Sequence, residues 1–313
     1  MRIGWLGLGT MGAPMAACLA RAAHDVAGYD VVPGRAASLT AGGIRAAGTI
    51  AAAVRDADLV AVMVATPEQL EQVLSSLVGP PDPAPGGPAP DGAAPARGAP
   101  ALVPGTIVMI TATVGPEAVA AAAGRLAGHG VTVVDAPVSG GVARAAAGDL
   151  LIMVSGPADA VLRIQPILDA LARNAPVVGA SPGDGQRMKL VNQLLCGVHI
   201  AAAAEALAFA GALGLDPAEC WRVLRGGAAA SFMFEDRGAR MAEGQFGEVR
   251  SALDIFVKDM GLVGAAADEA GAWVPLAAAA RALYARGHDL GLGRLDDSAL
   301  IEVLRPGRPS GTE

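Results

Sequence analysis

The sequence predicts an α/β fold in its first half and an all-α fold in its second. In the first half, short apolar runs alternate with alanine-rich helical stretches, which is typical of βα units around a mostly parallel sheet. After residue 183 the strand-like runs stop and helical periodicity remains. A chain of 313 residues, 53% hydrophobic and 17% charged, has the size for about two domains and the apolar material for their cores.

The elements and domain limits follow from these patterns. The predicted strands lie in the runs IGWLG, DVAGYD, LVAVMVA, TIVMIT, VTVVDAP, LLIMVSG and PVVGA. The predicted helices of the second half cover 186–213, 217–225, 251–270, 275–287 and 297–304. We place the first domain at 1–180, the second at 181–305 and a disordered tail at 306–313, with Gly183 and Gly185 near the junction.

One segment of the first half has a different composition. Residues 79–100, GPPDPAPGGPAPDGAAPARGAP, are almost all Pro, Gly and Ala and cannot bury enough apolar surface to offset their ordering entropy. We therefore predict a solvent-exposed, partly disordered loop over 79–104. A docking site for a partner that binds Pro-rich segments is the less favoured alternative.

Charge and cysteine usage exclude several classes of protein. A net charge of −7 argues against binding to nucleic acid or to an anionic membrane surface. Glycines interrupt the N-terminal run MRIGWLGLGTMG, which is therefore not expected to be a signal peptide. Three scattered cysteines without a CxxC pair indicate reduced thiols and a cytoplasmic location, and the four histidines show no metal-ligand spacing, so no metal is expected.

The run LLCGVHIAAAAEALAFAGALG at 194–214 approaches the length of a membrane span. It contains His199 and Glu205, and much of its apolar character comes from alanine, which is weakly hydrophobic. A buried helix of a soluble protein is therefore favoured over a membrane helix.

The motif GLGTMG places Gly7, Gly9 and Gly12 in the spacing GxGxxG, after the predicted strand RIGWL and at the start of a predicted helix. This pattern is typical of a Rossmann-type dinucleotide site. Gly7 allows the tight turn, Gly9 lets the backbone approach a pyrophosphate, and Gly12 lets helix and strand pack closely. The predicted cofactor loop also includes Leu8, Thr10 and Met11. A glycine turn without a ligand is the alternative.

Asp30 completes the dinucleotide pattern. It ends the second predicted strand, 18 residues after Gly12, where a carboxylate accepts hydrogen bonds from the adenosine ribose hydroxyls. Because a carboxylate repels a 2′-phosphate, the sequence favours NAD over NADP as the cofactor. Arg35, five residues further on, could soften that preference.

Two further groups could bind a small acid. Ser139, Gly140 and Gly141 follow a predicted strand in DAPVSGG and could present N–H groups to a carboxylate, although Ser-Gly-Gly is equally ordinary in turns. Lys189, Asn192 and Gln193 share one face of a predicted helix in GDGQRMKLVNQLL. That helix follows the α/β half, so its first turns could line a substrate cleft, where a desolvated lysine can exchange a proton with a hydroxyl. Alternatively, Lys189 reaches out to solvent beside an exposed polar stripe.

Three stretches of the second half have a simpler interpretation. Lys258 and Asp259 in DIFVKDMGL can form a surface pair. The stretch SFMFED at 231–236 is typical of core or interface rather than of a substrate wall. RLDDSAL at 294–300 predicts a helix start with Asp296 or Asp297 as the N-cap.

Four stretches, GLGTMGAPMA, DAPVSGG, GDGQRMKLVNQLL and KDMGL, occur in the order and spacing of a known family, and the likeness extends over about 1–304. The chain resembles the β-hydroxyacid dehydrogenases, which include 3-hydroxyisobutyrate dehydrogenase and tartronate semialdehyde reductase. Its second half is similar to the L-threonate branch of that family in NQLLCGVHIAAAAEALAFAGALGL, SFMFEDR, SALDIFVKDMGLV and DDSAL. Many family members carry Asn where this chain has Gln193, and the L-threonate branch carries Gln.

The resemblance implies a role for each candidate residue. Lys189 would be the general base for oxidation of the 2-hydroxyl of a four-carbon sugar acid, L-threonate above all, by NAD. Ser139, Gly140 and Gly141 would bind the substrate carboxylate, and Asn192 and Gln193 its hydroxyls. Thr113 in TATVGP and Lys258 would lie near the nicotinamide ribose, while Ala112 replaces a hydroxyl that the family often has. Related enzymes imply a homodimer or homotetramer.

Three alternatives to this interpretation stay open. The first is activity as a 3-hydroxyisobutyrate dehydrogenase or a tartronate semialdehyde reductase. The second is an imine reductase of the same fold, against which Lys189 argues. The third is a non-catalytic NAD-binding protein, which would bind the dinucleotide without turnover and tolerate Lys189→Ala.

Overall fold

The structure is a computed structural model that describes residues 1–79 and 102–305. The interior of the Pro-rich segment, for which an exposed and partly disordered loop is predicted, lies outside the described residues, as does the predicted disordered tail at 306–313. The chain divides into two compact units, Met1–Lys189 and Leu190–Glu313.

The first unit is built on a mostly parallel sheet. Its strands are β1 (Arg2–Leu6), β2 (Asp25–Tyr29), β3 (Arg45–Ala46), β4 (Leu59–Val62), β5 (Ile107–Ile110), β6 (Thr132–Asp135), β7 (Val138–Ser139), β8 (Leu150–Ile152), β9 (Val154–Ser155), β10 (Ala172–Asn174) and β11 (Val177–Gly179). Eight of them form one sheet in the order β11-β9-β6-β5-β4-β1-β2-β3, in which β6 and β9 make the antiparallel pair. A smaller sheet has the order β10-β8-β7.

Helices cover both faces of the larger sheet. They are α1 (Gly12–Arg21), α2 (Ile50–Val54), α3 (Pro67–Val78), α4 (Pro116–Ala127), α5 (Gly141–Ala147), α6 (Ala158–Arg163) and α7 (Gln165–Leu171). Every residue of β5 is buried, and alternate residues belong to different cores: Ile107 and Met109 to one, Val108 and Ile110 to the other. Continuous apolar runs of this kind are what a parallel sheet covered on both faces requires. The predicted Rossmann-type α/β domain is confirmed.

The apolar helix α8 (Asp184–Ala212) has 29 residues and continues from the first unit into the second. By length and composition it could cross a membrane, but half of its most apolar window is buried within the protein. Ile200, Ala204 and Leu207 belong to the core of the second unit. The run at 194–214 is therefore part of a core helix.

The second unit is helical, as predicted. After α8 come α9 (Pro217–Leu224), α10 (Phe232–Glu243), α11 (Leu253–Glu269) and α12 (Pro275–Asp289). The last predicted helix is a 3₁₀ helix, Asp297–Val303, and its N-cap is Asp296, whose carboxylate accepts from the Ser298 N–H. The helix α10 was not expected, because the two phenylalanines of SFMFED suggested only an apolar patch. Ser231 caps it, and Phe234 lies in the core while Phe232 is exposed.

Buried ion pairs join α10 to the 3₁₀ helix. Arg237 makes two hydrogen bonds of 3.1 Å to the carboxylate of Asp297, and Arg240 Nε lies 3.0 Å from Asp296 Oδ1. Asp236 contacts both guanidinium groups. All four residues of the two pairs are buried.

Candidate functional site

The glycine loop follows β1 in the geometry that GxGxxG predicts. Gly7 has a φ of +96°, and a Cβ there would overlap the carbonyl oxygen of Met63. A Cβ at Gly12 would overlap the carbonyl oxygen of Gly7. A Cβ at Gly9, by contrast, would meet no atom within 4 Å. The loop is therefore closed on the protein side and open beside Gly9, at the start of α1, where a diphosphate can approach a helix N-terminus.

Asp30 connects the end of β2 to this loop. Its Oδ2 accepts a 2.7 Å hydrogen bond from the Leu8 N–H, and its Oδ1 accepts from the Val32 N–H at 2.8 Å and from Arg35 Nη1 at 2.9 Å. Partial burial opposes ionisation, but these three donors together hold the pKa of Asp30 below its ordinary value. The carboxylate is thus fixed and ionised, with a guanidinium directly beside it.

The other candidates of the first unit lie on segments that follow strands. Thr113 lies between β5 and α4, and Ser139 is the last residue of β7. Gly140 and Gly141 have φ values of +143° and +77° and lead directly into α5, so glycine is required at both positions. A Cβ at Gly141 would meet no atom within 4 Å, which leaves its backbone open to a small anion.

A buried polar cluster at the start of α8 was not expected from the sequence. Asp135, at the end of β6, accepts from the Gly183 N–H at 3.0 Å and from the Gln186 N–H at 2.9 Å. Gln186 Nε2 donates to the second oxygen of Asp135 at 2.8 Å, and Ser155 Oγ accepts from the Gly185 N–H at 2.8 Å. Burial outweighs these hydrogen bonds and raises the pKa of Asp135.

Lys189 lies one turn further along α8 and is only 5% exposed. Gln193, one more turn on, is 6% exposed, whereas the apolar Val191 is 59% exposed. An ammonium is costly to bury, so its placement away from solvent favours a chemical role over the alternative of an exposed polar stripe.

The second unit surrounds Gln193 with polar groups. Its Nε2 donates to the carboxylate of Asp259, and its Oε1 accepts from Asn192 Nδ2 at 2.8 Å. Asp259 Oδ1 also lies 2.7 Å from Lys258 Nζ. The interpretation of Lys258 and Asp259 as a surface pair was wrong, because Asp259 is buried on α11. An acidic residue between apolar flanks in DIFVKDMGL was the available signal.

Family models match both halves of the chain. Residues 2–82 and 93–179 match the NAD binding domain of 6-phosphogluconate dehydrogenase, and residues 183–304 match the model described as NAD-binding of NADP-dependent 3-hydroxyisobutyrate dehydrogenase. An L-threonate dehydrogenase of Cupriavidus necator is 39% identical over 303 residues, which cover 96% of this chain and 95% of the relative. The chain belongs to the 3-hydroxyisobutyrate dehydrogenase-like family of β-hydroxyacid dehydrogenases.

Two further relatives of this β-hydroxyacid dehydrogenase carry different names. An L-threonate dehydrogenase of Escherichia coli strain K12 is 35% identical over 303 residues, covering 96% of this chain and 94% of the relative. A crystal structure of 3-hydroxyisobutyrate dehydrogenase from Salmonella typhimurium has a TM-score of 0.84 and 34% identity, covering 96% of this chain and 99% of that chain. The resemblance stated from the sequence is confirmed, and the two names leave the substrate to be argued from the site.

As a member of this family, the protein is an NAD(P)-dependent oxidoreductase that acts on a hydroxy acid. Its residues fit a dinucleotide: the cradle is open at Gly9, closed at Gly7 and Gly12, and flanked by the fixed carboxylate of Asp30. The predicted roles of the individual side chains stay predictions.

Proposed function

We propose that this β-hydroxyacid dehydrogenase oxidises the 2-hydroxyl of a four-carbon sugar acid, L-threonate to 2-oxo-tetronate, with NAD as the cofactor. The observation that carries the proposal is the cluster of Asn192, Gln193 and Asp259. Amides and carboxylates beside a binding site suit a substrate with several hydroxyl groups, because a site built for hydroxyls discriminates strongly against analogues that lack them. A methyl-branched acid such as 3-hydroxyisobutyrate offers fewer hydroxyl groups to these side chains.

In this proposal, Lys189 is the general base. Its side chain is buried on α8, and as a neutral amine it can take the proton of the substrate hydroxyl at Nζ while the carbon–oxygen double bond forms. NAD, when bound, would supply the acceptor for the hydride that leaves the carbon bearing this hydroxyl. In the reverse direction the Lys189 ammonium returns the proton to the oxygen.

The remaining residues bind and orient. Ser139, Gly140 and Gly141 hold the substrate carboxylate, which fits the open backbone at Gly141. Asn192 and Gln193 contact substrate hydroxyls, while Thr113 and Lys258 lie near the nicotinamide ribose.

The loop Gly7, Leu8, Gly9, Thr10, Met11 and Gly12 holds the diphosphate of the cofactor. Asp30 accepts from the adenosine ribose and favours NAD over NADP. Residues 1–180 then form the cofactor domain, and 181–305 the substrate and oligomerisation domain of a cytoplasmic homodimer or homotetramer.

The test is NADH formation by the purified protein with L-threonate, D-threonate, D-erythronate, 3-hydroxyisobutyrate and D-glycerate in parallel. We expect L-threonate to give the highest kcat/KM and Lys189→Ala to abolish turnover. Arg187→Ala is the matched control, because Arg187 is exposed on the same helix and forms an ion pair with Asp184. Preference for 3-hydroxyisobutyrate or glycerate would retain the family and overturn the threonate assignment. Full activity of Lys189→Ala would overturn the general base.

A further inference from the structure

We propose that Asp135 and Gln186 are a pair of positioning residues. Together they hold the turn of α8 that carries Lys189 in place relative to the segments around Thr113 and Ser139. The proposal rests on the function proposed for Lys189. Every contact that it uses lies within the first unit, and neither residue is among those assigned above to substrate or cofactor.

The amide of Gln186 is fully used. Its Nε2 donates to Ala112 O at 3.0 Å and to Asp135 Oδ1 at 2.8 Å. Its Oε1 accepts from the N–H groups of Val114 and Gly115 at 3.0 and 3.1 Å. Two donors and two acceptor positions are all that an amide has. Rotating it by half a turn would oppose donor to donor at Val114 and Gly115 and acceptor to acceptor at Ala112 and Asp135. The orientation of Gln186 is therefore unique.

The carboxylate of Asp135 meets the first turn of the same helix. It accepts from two backbone N–H groups there, those of Gly183 and Gln186, in addition to the Gln186 side chain. A negative charge at a helix N-terminus is favourable, and the first N–H groups of a helix need acceptors from outside it. A Cβ at Gly185 would come within 2.6 Å of Met153 O, so this turn packs tightly against the backbone between β8 and β9.

Three predicted site segments meet at this pair. Thr113 stands between Ala112 and Val114, which both bond to Gln186. Ser139 lies four residues after Asp135, and Lys189 lies three residues after Gln186 on the same helix. A shift of either member of the pair would thus move the base relative to the segments that bind substrate and nicotinamide. Displacing reacting groups by 1 Å can lower a rate by about 100-fold.

The chemistry of the pair goes beyond what folding requires. Asp135 is a buried carboxylate whose recorded contacts are all neutral donors, and burial raises its pKa, so its ionised form costs stability at neutral pH. A neutral side chain in place of Asp135 could hold the start of α8 with a smaller loss of stability. Retaining a costly group beside a reactive lysine is typical of a functional site, where stability and activity conflict.

The test is a reciprocal swap. In Asp135→Asn the new amide N–H faces the donor Gln186 Nε2, and in Gln186→Glu two carboxylates face each other. Each single variant therefore loses the hydrogen bond between the two side chains. The double variant Asp135→Asn with Gln186→Glu restores one N–H to carboxylate contact between the two side chains and keeps the acceptors for Val114 and Gly115. We expect each single variant to lower kcat by about 10- to 100-fold, with the Kd for NADH within about twofold of wild type. The kcat of the double variant should be higher than the value obtained by multiplying the two single-variant losses.

Thr106→Val is the matched control for general destabilisation. Thr106 is a buried hydroxyl at the start of the β5 segment, where it donates to Ala57 O at 3.3 Å, away from Thr113 and Ser139. The pair is merely structural if both single variants lose kcat only in proportion to a fall in Tm, with the same proportion between kcat and Tm as in Thr106→Val. The proposal is also overturned if either single variant keeps wild-type kcat or if the double variant shows no recovery.

A second readout needs no substrate. The chain has two lysines, Lys189 and Lys258, so the rate of acylation of each can be followed separately by peptide mass spectrometry. Both single variants should change the pH profile of labelling at Lys189 and leave that of Lys258 unchanged. Unchanged labelling at both lysines overturns the positioning role. A protein that turns over no hydroxy acid but shows this selective change contradicts the proposed function and supports the positioning pair.

Discussion

The side-chain amide of Gln193 on α8 donates to the buried carboxylate of Asp259 on α11. Since Asp259 also pairs with Lys258 at 2.7 Å, one carboxylate orients an amide and an ammonium that the proposed function assigns to substrate and to cofactor. The oxygen of the Gln193 amide then faces Asn192. This arrangement determines which way the amide points, and in the proposed function it thereby sets which substrate hydroxyls the amide can meet.

We expect Gln193→Leu to change substrate preference more than stability. Leucine keeps most of the volume of glutamine but removes the amide, which leaves Asp259 without that donor and the substrate hydroxyl without a partner. The ratio of kcat/KM for L-threonate to that for 3-hydroxyisobutyrate should fall by about 10-fold or more. Steady-state kinetics with both acids measures it, and an unchanged ratio would remove Gln193 from substrate recognition.

The pair Asp30–Arg35 should control cofactor choice. Asp30→Ala removes the charge that repels a 2′-phosphate and leaves Arg35 beside the ribose, so we expect the kcat/KM for NADP to rise relative to NAD. Arg35→Ala removes the guanidinium that pairs with that carboxylate and should shift the ratio toward NAD. The two variants therefore move the same ratio in opposite directions. If both move it the same way, the ribose does not bind at Asp30.

The pattern of residues predicted the fold well where a strand lies within a continuous apolar run. LVAVMVA and TIVMIT became β4 and β5 because runs buried on both faces must be continuous and apolar. The strands β3, β7 and β10 have two or three residues and are too short to show a period. The glycine loop with Asp30 could be predicted because its parts lie within 30 residues and follow a fixed spacing.

The parts of the site that could not be predicted depend on long-range contacts. Asp135 and Gln186 lie within two motifs quoted for other reasons, but they are 51 residues apart and meet only because β6 ends where α8 begins. Gln193 and Asp259 are 66 residues apart on different helices. Periodicity says which face of an element is buried, and it does not say which buried polar group finds which partner.

Breaking one buried ion pair of the second unit should destabilise it strongly. Asp297→Asn removes the charge that meets Arg237 in two hydrogen bonds and leaves a buried guanidinium with Asp236 alone. We expect a loss of about 3 kcal/mol in the free energy of unfolding, measured with urea. Glu248→Gln is the control, because the exposed Glu248–Arg250 pair should contribute less than about 1 kcal/mol. Equal effects of the two substitutions would contradict the prediction.

The lowered pKa of Asp296 should make the free energy of unfolding depend on pH. Burial opposes its ionisation, but hydrogen bonds from Ser298 and the Arg250 N–H, together with Arg240, hold its pKa below its ordinary value. Such a carboxylate stabilises the folded state above its unfolded pKa, and that contribution is lost as the pH falls through the lowered folded pKa. The stability difference between wild type and Asp296→Asn should therefore narrow between about pH 7 and about pH 3. A constant difference across that range would mean that Asp296 does not titrate with folding.

Alanine substitutions at two glycines of the cofactor loop should affect different properties, NADH binding at Gly9 and thermal stability at Gly12. Gly9→Ala adds a methyl group where the protein has no atom within 4 Å, so Tm should be retained while the Kd for NADH rises by about 10-fold or more. Gly12→Ala places the same methyl group against the carbonyl oxygen of Gly7, so Tm itself should fall. Gly124→Ala in α4 also meets no atom within 4 Å, and it should bind NADH normally with equal or higher Tm. Titration of NADH by fluorescence and thermal unfolding of all three variants test the contrast. Wild-type affinity in Gly9→Ala would mean that the diphosphate does not cross the loop at Gly9.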